Sequence, residues 1–248
     1  MSGVGSGATR AQLLLGVALT FFVVFVLLGA LVASGDLTHS VDTYALQHLM
    51  PGISTRQSPL GFLDRIGFGL GVGGPHRAIH LAAKAITFPA WGPASAAVAA
   101  ILCGVAYRRR RRLAFVWAIA LGAITAVELV SKAVVERPAL FLLVTSGDRE
   151  HISGFDSSYP SGHEARGLML AFLAGILWPR LRPVLAVWFV AGTVMLEVGG
   201  YHTPTDLIGG GALAAAACAV CFAGARADVD GVRKPGPTAL VGGADRER

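Results

Sequence analysis

Residues 88–135 read FPAWGPASAAVAAILCGVAY (88–107), RRRRR (108–112) and LAFVWAIALGAITAVELVSKAVV (113–135). Two apolar stretches, each about the length needed to cross a bilayer, flank five consecutive arginines. Lys and Arg concentrate in cytoplasmic loops, so this order predicts two membrane helices joined by a short turn at the inner face. The second stretch carries Glu128 and Lys132 near its far end, spaced i,i+4 with the acid first, so that they pair on one helix face. Charges at that depth are costly, and the pair is expected to face the bundle or a polar cavity.

Working outward from this hairpin, the chain repeats the pattern. Ala11 to Ala33 is uncharged and predicts the first span. From Ser34 to about Gly74 the sequence is polar and punctuated by Gly and Pro, with Asp36, His39, Asp42, His48 and Asp64. This reads as an outer connection with interfacial helices around Val41–Leu49 and Leu60–Leu70. Pro75 to Thr87 reads as a helix on which His76, Arg77, His80 and Lys84 lie close together, either a solvated face or a basic face near lipid headgroups. On the other side, Arg137-Pro138 ends the third span and Ala139 to Tyr159 forms an outer loop. A fourth span runs from about Glu164 to Trp178, Pro179 to Pro183 makes a second basic turn, and a fifth runs from Val184 to about Gly200. The sixth, Leu207 to Gly224, is built from Gly and Ala, which let helices approach closely in lipid.

The fold class expected is therefore all-α, a polytopic membrane protein with six transmembrane helices. Residues 1–10 would form a cytoplasmic tail, 11–224 the membrane domain, and 225–248 a disordered cytoplasmic tail. Composition agrees: of 248 residues, 54% are hydrophobic and 15% charged, and the mean hydropathy is +0.61. The net charge of +6 sits in short clusters between apolar segments, with no basic stripe interleaved with aromatics, so nucleic acid is not an expected partner. Cys103, Cys218 and Cys221 fall inside apolar runs and read as small buried hydrophobes. The first apolar run is too long for a signal-peptide core and is expected to remain as a helix.

With both termini inside, Lys132, Arg137, Ser161, His163, His202 and Asp206 come to one outer level. Tyr159-Pro160-Ser161-Gly162-His163 is a turn followed by a helix start, where free N–H groups and the positive dipole end attract anions. Ser161-x-x-Glu164 is equally a capping box, which by itself implies no ligand. His202 and Asp206 read as a base and its orienter, since a carboxylate accepting from one ring nitrogen leaves the other free to attack or take a proton.

On these residues the sequence resembles the type 2 phosphatidic acid phosphatase (PAP2) superfamily of membrane lipid phosphatases, related to vanadium haloperoxidases. That family carries Lys, six residues, then Arg-Pro; Pro-Ser-Gly-His; and Ser-Arg, five residues, then His, three residues, Asp. Pro160-Ser161-Gly162-His163 matches the second motif, His202-x-x-x-Asp206 the end of the third, and Lys132 the start of the first. The resemblance implies a PAP2/haloperoxidase-like helical core. It implies His202 as nucleophile forming a phosphohistidine, Asp206 raising its basicity, and His163 protonating the leaving oxygen. Lys132, the Ser161 hydroxyl and the Gly162 amide would hold phosphoryl oxygens, with no metal and no cofactor. The first motif departs from the pattern: its Arg-Pro would fall on Ala139 and Leu140, and Arg137-Pro138 comes two residues early. In the third, Ser-Arg would fall on Met195 and Leu196. Arg137 from a shifted loop, or Arg166 one turn beyond His163, are the candidate replacements. Arg166 reads equally as a capping or solvated residue. Glu197, next to the missing arginine, would pair with Arg137 or Arg166, or signal a different substrate.

The reading that follows is a metal-independent hydrolase of the cell membrane, taking phosphate from a lipid phosphate or diphosphate at the extracytoplasmic face. A catalytically degenerate member that binds a phospholipid headgroup or serves as a membrane partner is the first alternative. The other is a metal-dependent hydrolase using His163, His202 and Asp206 as ligands. Oligomeric state is not legible.

Overall fold

The computed structural model describes residues 5–34, 41–42, 44–45, 77–135, 158–199 and 201–232. Among them every regular element is helical: α1 Gly5–Ser34, α2 Arg77–Thr87, a 3-10 turn Phe88–Ala90, α3 Gly92–Arg109, α4 Arg111–Val134, α5 Gly162–Leu177, a 3-10 turn Pro179–Leu181, α6 Arg182–Val198 and α7 Pro204–Val232. Four stretches are long and apolar enough to cross a membrane, Arg10–Ser34, Arg111–Val134, Pro179–Val198 and Pro204–Ala223. The pair Leu81–Ala90 and Gly92–Arg109, bent by 44°, makes a fifth if counted as one span. The chain is thus a multi-pass membrane protein.

Of the six spans expected, the one at Glu164–Trp178 differs in kind. It forms α5, whose 16 residues rise only about 24 Å against a hydrocarbon core of about 30 Å. Its apolar residues serve another purpose: Ala165, Met169, Leu170, Leu173 and Leu177 are buried, because α5 is surrounded by α3, α4, α6 and α7. Outer helices show the opposite. On α6, Val184, Val187, Val190 and Val194 are exposed at helical spacing, an apolar stripe suited to lipid tails.

The second span also differs from expectation. It begins with a break at Pro89, where the missing N–H and the bend release carbonyls that other groups must satisfy. Trp188 Nε1 donates to Ile86 O at 2.9 Å and Arg166 Nε to Ala90 O at 3.2 Å. Helix also extends past the expected tails. α1 begins at Gly5, and α7 continues to Val232 because Ala223, Ala225, Arg226 and Ala227 are strong helix formers. Val41, Asp42, Tyr44 and Ala45 are helical; the rest of the two expected interfacial helices lies outside the described residues.

Gly/Ala content in α7 does what packing in lipid requires. Tyr159 stacks on Phe25 with ring centroids 6.0 Å apart, and its hydroxyl donates to Phe25 O at 2.8 Å. A Cβ on Gly209 would collide with the same ring, so only glycine lets Tyr159 pin α1 to α7 directly beneath the Pro160-Ser161-Gly162 turn. Cys218 Sγ lies 3.4 Å from Met169 Sδ between α7 and α5, in keeping with a packing role. At the other end of the bundle Arg109 Nη1 donates to Leu177 O at 3.4 Å, and Arg182 Nε to Gly175 O at 3.0 Å. Both basic turns therefore lie together, away from the histidines.

Candidate active site

Three helix ends meet at the level expected: the last turn of α4 with Lys132, the first of α5 with Ser161 to Arg166, and the first of α7 preceded by His202. Ser161 is the N-cap of α5, its Oγ accepting from Glu164 N at 3.2 Å, so the capping role is realised. Its own N–H donates to Asp206 O at 3.0 Å, which locks the start of α5 to the start of α7.

The two imidazoles come from these two starts. Their ring centroids lie 6.0 Å apart with planes inclined by 58°. His202 is largely buried and His163 partly so. His202 is placed by its backbone: its N–H and that of Tyr201 both donate to Leu196 O, at 3.2 and 2.9 Å. Asp206 Oδ2 stands 3.7 Å from His202 Nδ1, and among the described residues that nitrogen has no hydrogen-bond partner. The distance is beyond a hydrogen bond, but orientation and charge are those of a carboxylate facing one ring nitrogen.

Asp206 is fully buried and held by neutral donors. Thr203 N donates to its Oδ2 at 3.0 Å and Ser158 Oγ to its Oδ1 at 3.3 Å. Thr203 Oγ1 accepts from Asp206 N at 3.4 Å and lies 3.1 Å from Thr205 Oγ1. The network reaches Asp42, itself buried, whose Oδ2 accepts from Thr205 Oγ1 at 2.7 Å and Oδ1 from Thr205 N at 3.4 Å. Two carboxylates thus sit at the N-terminus of α7, where free N–H groups and the dipole favour anions.

Opposite, Lys132 and Arg166 lie within electrostatic reach of His163. Both pair with Glu128: Lys132 Nζ at 3.0 Å from its Oε1, and Arg166 Nη1 on its Oε2. Glu128 is buried, so the pair faces the bundle, as its spacing suggested. Arg166 does not stand in solvent: its Nε satisfies Ala90 O, the last carbonyl of the 3-10 turn, while its Nη1 pairs with Glu128. It does not bond Glu197, which lies in the electrostatic field of Asp42 instead. Arg137 lies outside the described residues. Leu196, at the third-motif arginine position, is buried and lines a narrow apolar cleft, with free space of only about 10 Å³, together with His163, Gly167, Trp188 and Thr193. Among the described residues no group of three or more His, Cys, Asp or Glu is placed to hold a metal ion.

Comparison with known proteins supports the family on which these residues were first read. Residues 113–229 match the family model of the PAP2 superfamily. The matched range takes in α4 to α7 up to Val229, and with it Lys132, the Pro160–His163 turn, His202 and Asp206. Among solved structures the chain is similar to a transmembrane PAP2-type phosphatidylglycerolphosphate phosphatase from Bacillus subtilis, at 15% identity and a TM-score of 0.54, covering 88% of this chain and 97% of that one. That likeness is one of fold. No curated protein matches the sequence.

Two features of the candidate site were not read from sequence. Asp42 carries no local signal, since its partner Thr205 is 163 positions away and outer-loop acids are common. The grip of Glu128 on Arg166 spans 38 positions; only the Lys132 half of it follows from helical spacing.

Proposed function

We propose that the chain is a membrane phosphohydrolase that removes phosphate from a lipid phosphate or diphosphate at the extracytoplasmic face, through a phosphohistidine intermediate. The observation that carries this reading is the facing pair His163 and His202, 6.0 Å apart, with Asp206 behind His202 and two cations beside His163. One phosphoryl group can touch both rings.

In this mechanism Asp206 favours the tautomer with the proton on Nδ1, leaving Nε2 of His202 to attack phosphorus. The gap of 3.7 Å shortens as positive charge develops on the ring, since catalytic hydrogen bonds often tighten only in the complex. As the N–P bond forms, the P–O bond to the lipid breaks, and His163 gives its proton to the leaving oxygen. A water then attacks the phosphohistidine, losing a proton to His163, and inorganic phosphate leaves with His202 restored. Lys132, Arg166, Arg137, the Ser161 hydroxyl and the Gly162 amide are the proposed donors to the phosphoryl oxygens, whose developing charge needs fixed partners. Bound phosphate also supplies the negative charge that a protonated His163 needs beside Lys132 and Arg166. The residues assigned require neither metal nor cofactor.

For topology we propose six spans, α5 crossing as an inner helix shielded by its neighbours, with both basic turns and both termini cytoplasmic. The fold neighbour acts on phosphatidylglycerolphosphate, so glycerolipid phosphates are the first substrates to try, ahead of prenyl diphosphates and glycolipid phosphates. The test is phosphate release from these lipids by detergent-purified protein in the presence of chelator. Wild type is expected to release phosphate and His202→Ala to release none; equal rates would remove the nucleophile. Leu196 at the arginine position favours a second reading, a headgroup binder without turnover. It is supported if wild type binds phosphate lipids tightly yet releases nothing, even when Leu196→Arg restores the cation.

A further inference from the structure

Glu128 is a carboxylate on a membrane-spanning helix with its side chain only 6% exposed, a placement that is costly unless paired. It is paired twice, by Lys132 on its own helix and by Arg166 on α5. Arg166 is gripped from a second side by Ala90 O, one of the carbonyls left over by the break at Pro89. Among the described residues these contacts use two of the five N–H groups of the guanidinium and one of the three on the ammonium. Donors remain on both cations for further acceptors.

The carboxylate also explains Gly162. A Cβ there would fall inside the Glu128 carboxylate, so glycine is what admits this side chain against the first turn of α5, between Ser161 and His163. The ion triad is thereby seated on the turn that carries the general acid of the proposed mechanism.

We propose that Glu128 is the positioning residue of this site: it ties Lys132 and Arg166 into one cationic unit beside His163, and so makes Arg166 the phosphoryl-binding cation that Leu196 cannot be. The inference rests on the phosphatase reading. Glu128 touches no substrate; it fixes where two long, flexible side chains hold their charge, and preorganised donors are worth more than mobile ones. A phosphoryl group takes the unused N–H donors while the carboxylate keeps its own.

The experiment uses full-length protein in detergent, with lipid-phosphate hydrolysis and binding of inorganic phosphate, followed by thermal shift, as two readouts. Glu128→Gln is expected to weaken phosphate binding and to raise KM, with kcat/KM down about 10- to 100-fold, the range found when a partner of a ligating group is lost. Glu128→Asp, with charge kept and reach shortened, is expected to recover part of the loss. Because Glu128 acts through Arg166, adding Glu128→Gln to Arg166→Gln is expected to cost less than about threefold more, a failure of additivity that marks contact. Phosphate bound by Glu128→Gln as tightly as by wild type, or more tightly, overturns the proposal, as do effects that multiply. Should Glu128→Gln not fold, Glu128→Asp decides: KM and phosphate affinity equal to wild type overturn it. Wild type that neither releases nor binds phosphate overturns the phosphatase reading and this inference with it. Active wild type with an unaffected Glu128→Gln overturns this inference alone.

Discussion

The two walls of the site are built differently. On the His202 wall the groups joined at the start of α7 are short: Asp206, Thr203, Thr205 and Asp42 are linked by hydrogen bonds from hydroxyls and backbone amides. On the opposite wall the fixing groups are long: Lys132 and Arg166 reach toward His163 and are gathered by one carboxylate, Glu128. Short side chains with backbone amides lose little freedom when ordered, whereas Lys and Arg lose about 2 kcal/mol of rotamer entropy each unless something holds them. In the proposed mechanism the wall that aims the nucleophile is held by short groups, and the wall that supplies charge is held by pairing.

That contrast can be broken at several points, with effects of decreasing size. His202→Ala removes the attacking atom, and phosphate release should fall by about 10⁴-fold or more, as when other enzymes lose their nucleophile; a stopped assay on one lipid phosphate checks this. Asp206→Asn keeps the shape but donates where the carboxylate accepts, turning the imidazole to the wrong tautomer, and should cost about 10⁴-fold in kcat. Lys132→Met removes one charge-assisted donor from the second wall and should cost about 10²-fold, with steady-state kinetics as the measure. Asp42→Asn loosens Thr205, which is joined through Thr203 to Asp206 behind the imidazole. A loss of about tenfold with an unchanged melting temperature would sharpen the contrast, and a loss as large as that of Asp206→Asn would abolish it.

Acidity probes both walls at once. In the proposed mechanism one imidazole attacks as the neutral base and the other donates a proton, so the kcat profile is expected to be bell-shaped. A flat profile between about pH 5 and 9 counts against this division of labour.

Much of the site could be read before any coordinates. His163 and His202 were expected at one level and are found with ring centroids 6.0 Å apart, one at the start of α5 and the other just before α7. The Ser161 cap and the Glu128–Lys132 pair follow from three- and four-residue helical spacing. Other parts had no such rule. Glu197 had Arg137, Arg166 or a different substrate as its candidate readings; of these the Arg166 pairing is not found, since Arg166 lies on Glu128, and the break at Pro89 and the glycine at 162 that open that path do not announce it. The fourth span read as an ordinary membrane helix, and only its place at the centre of the bundle shows that its apolar residues meet protein instead of lipid.

The sequence alone determined the membrane character, the order of the apolar helices and the turn at which the second PAP2 motif sits. Those depend on local rules: apolar length against bilayer thickness, and basic residues kept at one face. Tertiary structure decided which charges meet. Pairing between Glu128 and Arg166, the arrival of Asp42 at Thr205, and the seat of Tyr159 between Phe25 and Gly209 join residues far apart in the chain, and in a low-dielectric bundle such partners are chosen by proximity in space.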